Sequence, residues 1–359
     1  MTSRDIIQHR LINQQLAAAP AAGGFTTSAG LVRWMGCVQA QDFAGAKWAI
    51  GNRVRDLTEA AIDKDFNDGR FLRTHVLRPT WHFVAPEDIR WMLQLTAPRI
   101  KAFNKNLHRN LNITAAVLKR STALLEKTLA GGRHLTRQEL QLVLKKARIN
   151  TDDIRFSFLL MEAELNGVLC SGPRKGKQFT YALLEERVPP AAVLSRKESL
   201  GALAKRYFMS RGPATLPDFA WWGGLTLTDA REGLAMCKHE LANEVVNGQA
   251  YWFGAGMLLK PAAAAAKAVY LLPAYDEYAI GYKDRSDILP GEGAEKTGNG
   301  IFKPIIIAGG KIAGTWQRVL TKDVVRVETN AFGAWSGVVA GQVKAMVKRY
   351  GKFLGKKVV

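Results

Sequence analysis

Apolar residues recur at helical spacing in the first part of the chain, give way to short alternating runs, and then repeat that order. Residues 4–16 predict a helix, and the Ala/Pro/Gly stretch from Ala17 to Gly24 predicts a loop. Leu31, Trp34 and Met35 stripe a helix running from about Ser28, which Thr26, Thr27 or Ser28 can cap. That helix ends in Val38-Gln39-Ala40-Gln41-Asp42, ahead of the apolar run Phe43 to Ile50. Leu57 to Phe66 is helical again. Arg73 to Arg78 and Thr80 to Val84 then alternate as strands broken by Pro79, and Pro86-Glu87-Asp88 opens the next helix. Ile100 to Leu129 is mostly helical and basic, and Gly131-Gly132 ends it.

The second pass has cleaner signals. Thr136 and Glu139 form a capping box, and Asp152 or Asp153 can cap a helix with Ile154, Phe158, Met161 and Leu165 on one stripe. Asn166-Gly167 stops it; a strand over 168–170, a cationic turn from Gly172 to Lys177 and a strand over 178–183 follow. Past Pro189-Pro190 come a helix from Ser199 to Arg211, a short one opened by Thr215 and Asp218, and another from Thr228 through Leu241. Asn247-Gly248 then marks a hairpin. Helix, turn, helix, hairpin is the order of a winged helix-turn-helix, and three degenerate copies account for the length. From Ala268 the pattern is strands and turns, predicting a small β-barrel or sandwich, with a long loop over Asp284–Gly300 and a basic helix from Gly341 to Lys357. The expected fold is α+β: winged units over 1–112, 113–190 and 191–262, and a C-terminal β-barrel over 263–359.

Composition changes the picture in one respect. With 51 Lys and Arg against 31 Asp and Glu among 359 residues, the formal net charge is +20. That excess points to a polyanionic partner, with nucleic acid fitting winged units better than an anionic membrane does. The 3 cysteines, Cys37, Cys170 and Cys237, are far apart with no C-x-x-C, so they predict buried small residues rather than a disulfide or zinc framework. No apolar run long enough to cross a membrane and no signal-peptide core occurs, so a cytoplasmic, nucleoid-associated monomer is expected.

The candidate chemistry is sparse. On extended backbone Gln39 and Gln41 would share a face and present two carboxamides side by side, able to orient a water. The other reading is a helix end with two surface glutamines. Arg174, Lys175 and Lys177 crowd one hairpin tip, as a DNA-contacting wing or as a solvated basic turn. Arg33 and Arg78 are further candidate DNA contacts. Thr80 and His82 share one face of their strand, with a structural role as the alternative. Neither H-E-x-x-H, G-x-S-x-G nor G-x-G-x-x-G occurs, and Gly172 to Lys177 is one residue short of a phosphate loop. No metal site and no cofactor are expected.

Six blocks in register, Q-A-Q-D at 39–42, R-P-T-W-H-F-V at 78–84, L-C-S-G-P-R-K-G-K at 169–177, R-G-P-A-T-x-x-D-F-A-W-W at 211–222, L-P-A-Y-D-E-Y at 272–278 and G-x-x-x-G-T-W at 310–316, resemble the winged-helix DNA glycosylases of the AlkZ/YcaQ type. The resemblance implies three winged helices and a C-terminal barrel forming a C-shaped molecule around double-stranded DNA. It also implies excision of alkylated purines and, in some members, unhooking of interstrand crosslinks. Gln39 and Gln41 match the family's Q-Φ-Q catalytic signature, and Thr80 and His82 match its T-x-H strand. Asp42 follows the signature as possible support and does not fill the aspartate slot of the Q-Φ-D branch. A non-catalytic winged-helix regulator is the rival reading.

Overall fold

The computed structural model describes residues 1–17, 24–152, 154–257, 268–289 and 302–359. It is a mixed α+β structure of two compact units, Met1–Asp63 with Leu200–Val359, and Lys64–Ser199.

In the first unit the helix Ser3–Asn13 starts on a Thr2/Asp5 capping box. It buries Ile7 and Leu11 against Tyr270, Leu272, Ile305, Ile307 and Ile312 of a five-stranded sheet. Those strands run in the order Lys357–Val358, Val324–Ala331, Lys311–Leu320, Ile305–Ala308, Val269–Leu272. All pairings are antiparallel except the first. The expected barrel is thus a half-barrel with two edges. The turn between Ile305–Ala308 and Lys311–Leu320 falls on Gly309-Gly310, both at positive φ.

The helix Phe43–Arg53 hangs on that sheet by two donors, Trp48 Nε1 and Asn52 Nδ2, which share the Leu271 carbonyl at 2.7 and 2.9 Å. The terminal helix Gly337–Leu354 packs Tyr350 and Phe353 around Trp48. No acid stands near its cations in sequence, yet three of them find tertiary partners. Arg349 donates to the Gly51 and Asn52 carbonyls, Lys352 to Asp56, and Lys356 to the carbonyls of Thr321 and Lys322.

The helices Arg196–Arg211, Leu216–Gly223 and Leu227–Cys237 lead into the hairpin Leu241–Val246/Gln249–Gly254. Asn247 and Gly248 at its turn both have positive φ, as a two-residue primed turn requires. The cap of the helix Leu227–Cys237 is Thr226, whose hydroxyl takes the Asp229 N–H, and not the expected Thr228. Gly212 lies so close to this hairpin that a Cβ would stand 2.4 Å from the Phe208 carbonyl and 2.8 Å from Phe253 Cα. Both neighbours are backbone and cannot step aside. Gly212→Ala is therefore expected to lower the unfolding free energy by at least about 1–3 kcal/mol in a urea melt, and an unchanged midpoint would refute that close approach.

In the second unit the hairpin Leu72–Val76/Thr80–Val84 precedes the helix Pro86–Asn110, which starts on Pro86 as expected. The helices Ala115–Leu129, Arg137–Lys146 and Arg155–Leu165 and the sheet Leu135–Thr136, Thr180–Leu183, Leu169–Ser171 enclose a second core. The Thr136/Glu139 box is present. Two details differ from expectation. The helix Arg155–Leu165 is capped by Ile154 without a side-chain bond, so Asp152 does not cap it, and Asp153 lies outside the described residues. Its core cluster holds Phe156, Leu159, Leu160 and Ala163; of the expected stripe, Leu165 is buried and Phe158 packs against that cluster, while Ile154 is exposed. Both stripes satisfy i, i+3, i+4 spacing, and packing selects the one that continues into Leu169 and Tyr181. Among the described residues no helix is long and apolar enough to cross a membrane.

Candidate active site

The helix Ser28–Met35 stops earlier than its sequence pattern predicts, because Gly36 turns the chain at φ +72°. Cys37–Gln39 then forms a strand, Ala40 is fully buried, and Gln41 and Asp42 lie in a bend. The glutamine segment is thus extended rather than helical through Gln39. Gln39 is largely buried and Gln41 is exposed.

That segment is gripped at both ends. Behind it, Glu277 Oε1 accepts the Gln39 N–H at 2.8 Å. The other oxygen, Oε2, accepts from Arg211 Nη2 at 2.6 Å, Arg211 Nε at 3.0 Å and Trp222 Nε1 at 3.0 Å. Arg211 in turn donates Nη1 to the Met35 carbonyl at 2.7 Å and Nη2 to the Cys37 carbonyl at 2.9 Å, with its guanidinium 4.3 Å above the Trp222 ring. Arg211, Trp222 and Glu277 are all about fully buried. One ion pair thereby fixes three backbone groups on the approach to Gln39. Ahead of the segment, Asp42 caps the helix Phe43–Arg53 by accepting the Gly45 N–H at 3.0 Å, and it lies 3.8 Å from Arg318. Any support Asp42 gives is through the backbone it fixes next to Gln41.

The neighbouring Asp276 is equally committed. It forms a two-pronged pair with Arg53 at 2.7 and 2.8 Å and caps the short helix Glu277–Ile280. Arg211, Trp222 and Glu277 lie within the resemblance blocks at 211–222 and 272–278, which by themselves assign these residues no role. Their signal was an acidic pair set between Tyr275 and Tyr278, where packing favours carbon and a charge needs a partner.

Apart from Arg33, the remaining candidates belong to the other unit. His82 is fully buried opposite Thr74, and its Nδ1 stands 2.9 Å from the Thr80 carbonyl. A carbonyl only accepts, so Nδ1 carries the hydrogen in that contact. Thr80 is half-buried, opposite Val76. Arg78 sits at the turn of that hairpin, half-exposed, and in the first unit Arg33 is exposed on the helix Ser28–Met35. In the hairpin turn over 172–177, Arg174 donates its backbone N–H to Asn67 at 2.8 Å and its guanidinium to the Lys177 carbonyl at 2.7 Å, so it shapes the tip. Lys175 is exposed but pairs with Glu139 at 3.1 Å, while Lys177 is exposed.

Hydrogen bonds from Thr136, with Lys175 adding to them, pull the Glu139 carboxyl down to about 2. A depressed carboxyl stabilises the fold above its unfolded value and loses that contribution as pH falls through its folded value. The cap and the Lys175 pair should therefore persist to well below pH 4 and fail near pH 2; an NMR titration of Glu139 with an ordinary midpoint would contradict this. All 3 cysteines are buried and outside any disulfide, as expected, and burial pushes the Cys170 thiol up to about 12. Among the described residues no cluster of three or more His, Cys, Asp or Glu could hold a metal ion.

Comparison with known proteins agrees with this architecture. An interstrand DNA cross-link repair glycosylase of Streptomyces sahachiroi is 25% identical over 305 residues, covering 80% of this chain and 81% of that protein. The solved structure of Streptomyces sahachiroi DNA glycosylase AlkZ superposes with a TM-score of 0.78 at 20% identity, over 100% of this chain and 99% of the other, which establishes the fold. The family model for AlkZ-like DNA glycosylases matches residues 32–353, from the helix before the glutamine strand to the last turn of the terminal helix, and the chain belongs to that family.

Proposed function

We propose that this protein is a monofunctional, metal-independent DNA glycosylase. It hydrolyses the N-glycosidic bond of cationic N-alkylated purines in duplex DNA, namely N7-alkylguanine, N3-alkyladenine and interstrand crosslinks made through such positions. The reading rests on family membership and on one observation: a paired-glutamine segment clamped through its backbone by a buried Arg–Glu pair and by a helix cap.

A purine alkylated at N7 or N3 carries positive charge, so its bond to the sugar is already weakened and the base leaves without prior protonation. What remains is to place a water and to accommodate a developing oxocarbenium ion. Amide oxygens accept from water and offer partial negative charge to the sugar, yet have no pKa in the working range. Each preorganised contact of this kind contributes about 3 kcal/mol. Gln39 and Gln41 fill this role, and Thr80 and His82 match the family's T-x-H strand as possible support. The helix-and-hairpin segments act as winged-helix units on the duplex, with Arg33, Arg78 and the wing residues Arg174, Lys175 and Lys177 facing the phosphate backbone. The resemblance to a crosslink-repair glycosylase makes an interstrand crosslink the first bulky substrate to try.

The test is incubation with duplex DNA carrying N7-methylguanine, read as abasic sites after cleavage. Base release well above the buffer rate is expected, while unmodified duplex stays intact. Selection of one preferred sequence from random duplexes, with no release from any alkylated duplex, would instead identify a regulator.

A further inference from the structure

The chain from Leu271 to Glu277 holds both flanks of the glutamine segment. Its Leu271 carbonyl takes Trp48 and Asn52 of the helix Phe43–Arg53, and its Glu277 carboxylate takes the Gln39 N–H. Between these contacts Tyr275 turns the backbone at φ +61°, a region that a residue with a large side chain enters only under strain. The turn delivers two buried acids in succession to different partners: Glu277 to the strand before the glutamines, Asp276 to the helix after them. Asp276 grips the far end of that helix. Its oxygens take Arg53 Nη2 at 2.7 Å and Nη1 at 2.8 Å, and the other N–H groups of Arg53 go to the Ala49 carbonyl at 2.9 Å and to the carbonyl and side-chain oxygens of Gln14 at 2.9 and 3.0 Å. All five donors of a buried guanidinium are thus committed inside the fold, and Arg53 has none left for DNA. The near end of the helix is fitted just as closely, since a Cβ on Gly45 would stand 2.6 Å from Asp42 Oδ2 and 3.1 Å from Pro273 Cβ.

We propose that Asp276, acting through Arg53 and the helix Phe43–Arg53, is the positioning residue for Gln41, as Glu277 is for Gln39, so that two neighbouring acids set the spacing of the two amides. Holding the strand at Gln39 leaves the backbone rotations at Ala40 and Gln41 undetermined. Holding the helix removes that freedom. Its 11 residues form a stiff rod about 16 Å long. What fixes Arg53 at one end and Gly45 at the other therefore fixes the Asp42 cap, and Gln41 is the residue before it. The assignment rests on the excision chemistry proposed above for its purpose: a water shared by two amides needs both oxygens at a set separation, and a misplacement of about 1 Å costs about 10²-fold in rate. The placement itself is read without any excision assay.

The test uses the full-length protein, isotope-labelled on its glutamine nitrogens and read by NMR, with the Gln39 and Gln41 signals assigned by their loss in Gln39→Ala and Gln41→Ala. Asp276→Asn should move or broaden the Gln41 signals and leave those of Gln39 near their places, and Glu277→Gln should do the reverse. Gly45→Ala disturbs the Asp42 cap without touching the ion pair. It should copy Asp276→Asn, and it decides the matter even where loss of a buried charge leaves Asp276→Asn unfolded. Single-turnover excision of N7-methylguanine at saturating enzyme gives the second reading. Asp276→Asn should slow the chemical step about tenfold or more in the parent protein, and less than about twofold in Gln41→Ala, where no amide is left to position. A merely structural residue would cost the same factor in both backgrounds. Gln41 signals unmoved in both Asp276→Asn and Gly45→Ala, Gln39 and Gln41 shifting together in every variant, or an equal loss of excision in the two backgrounds overturns the proposal. A parent protein that excises nothing removes the glycosylase reading, and the spectra still decide whether Asp276 sets Gln41.

Discussion

Glu277→Gln is expected to lower the unfolding free energy by about 3–5 kcal/mol, the usual consequence of leaving one member of a buried ion pair uncompensated. The substituted amide keeps an oxygen for the Gln39 N–H, but one of its two ends must face Arg211 Nε and Nη2 and Trp222 Nε1 without accepting all three. Arg211 then carries an unneutralised charge in a site where it is 0% exposed. Against a typical domain stability of about 5–15 kcal/mol, the variant should still fold in the cold. Urea melts give the stability, and single-turnover excision at low temperature gives the effect on the glutamine segment. Excision should fall through the chemical step with DNA affinity nearly retained, because the loosened strand carries Gln39 and not the wing. Trp222→Phe, which removes one donor to Glu277 and keeps most of the volume, should show the same pattern at smaller amplitude, about 1.5–3 kcal/mol. A melt within about 0.5 kcal/mol of the parent protein would mean that the clamp contributes nothing.

The hydrophobic pattern carried most of the elements. Two full capping boxes, Thr136 with Glu139 and Thr215 with Asp218, fell where sequence placed them, because each is a reciprocal local hydrogen bond written in neighbouring residues, whereas the single caps expected at Thr228 and Asp152 did not. The Asn247-Gly248 hairpin was legible for the same reason. Errors arose where the decision was tertiary. The apolar stripe of Arg155–Leu165 had two acceptable phases, and only packing against Leu169 chose between them. The lysines of the terminal helix appeared uncompensated because Asp56, the partner of Lys352, is almost the whole chain away. The candidate site divides in the same manner. Two glutamines with one residue between them are visible in sequence, and their neighbour Asp42 proved to be a helix cap. The clamp beneath them joins residues 35–39 to residues 211, 222 and 277, which no local spacing can announce. The resemblance blocks had already gathered those residues, as motifs without a physical task.

Gln39→Ala with Gln41→Ala should remove excision of N7-methylguanine almost entirely while leaving the melting curve in place. The expected loss is about 10²–10³ in the rate of the chemical step for either glutamine alone, by analogy with removal of one preorganised hydrogen-bonding group. The double variant should fall little further than the worse single one, because two amides that hold one water act as a unit. The Glu277 clamp should be spared for a reason specific to this site. The bond that fixes Gln39 uses its backbone N–H, which alanine retains, and Gln41 is exposed. Truncating the amides therefore deletes chemistry and leaves the clamp, whereas changing Glu277 loosens the clamp and leaves the amides. The two variants make opposite predictions for stability and the same one for excision, and that contrast separates a catalytic role from a scaffolding one. Duplex affinity provides the third reading, since binding through wing cations and backbone phosphates should be unchanged and steeply salt-dependent in both. Excision that survives the double substitution would place the water elsewhere and leave the glutamine segment as structure.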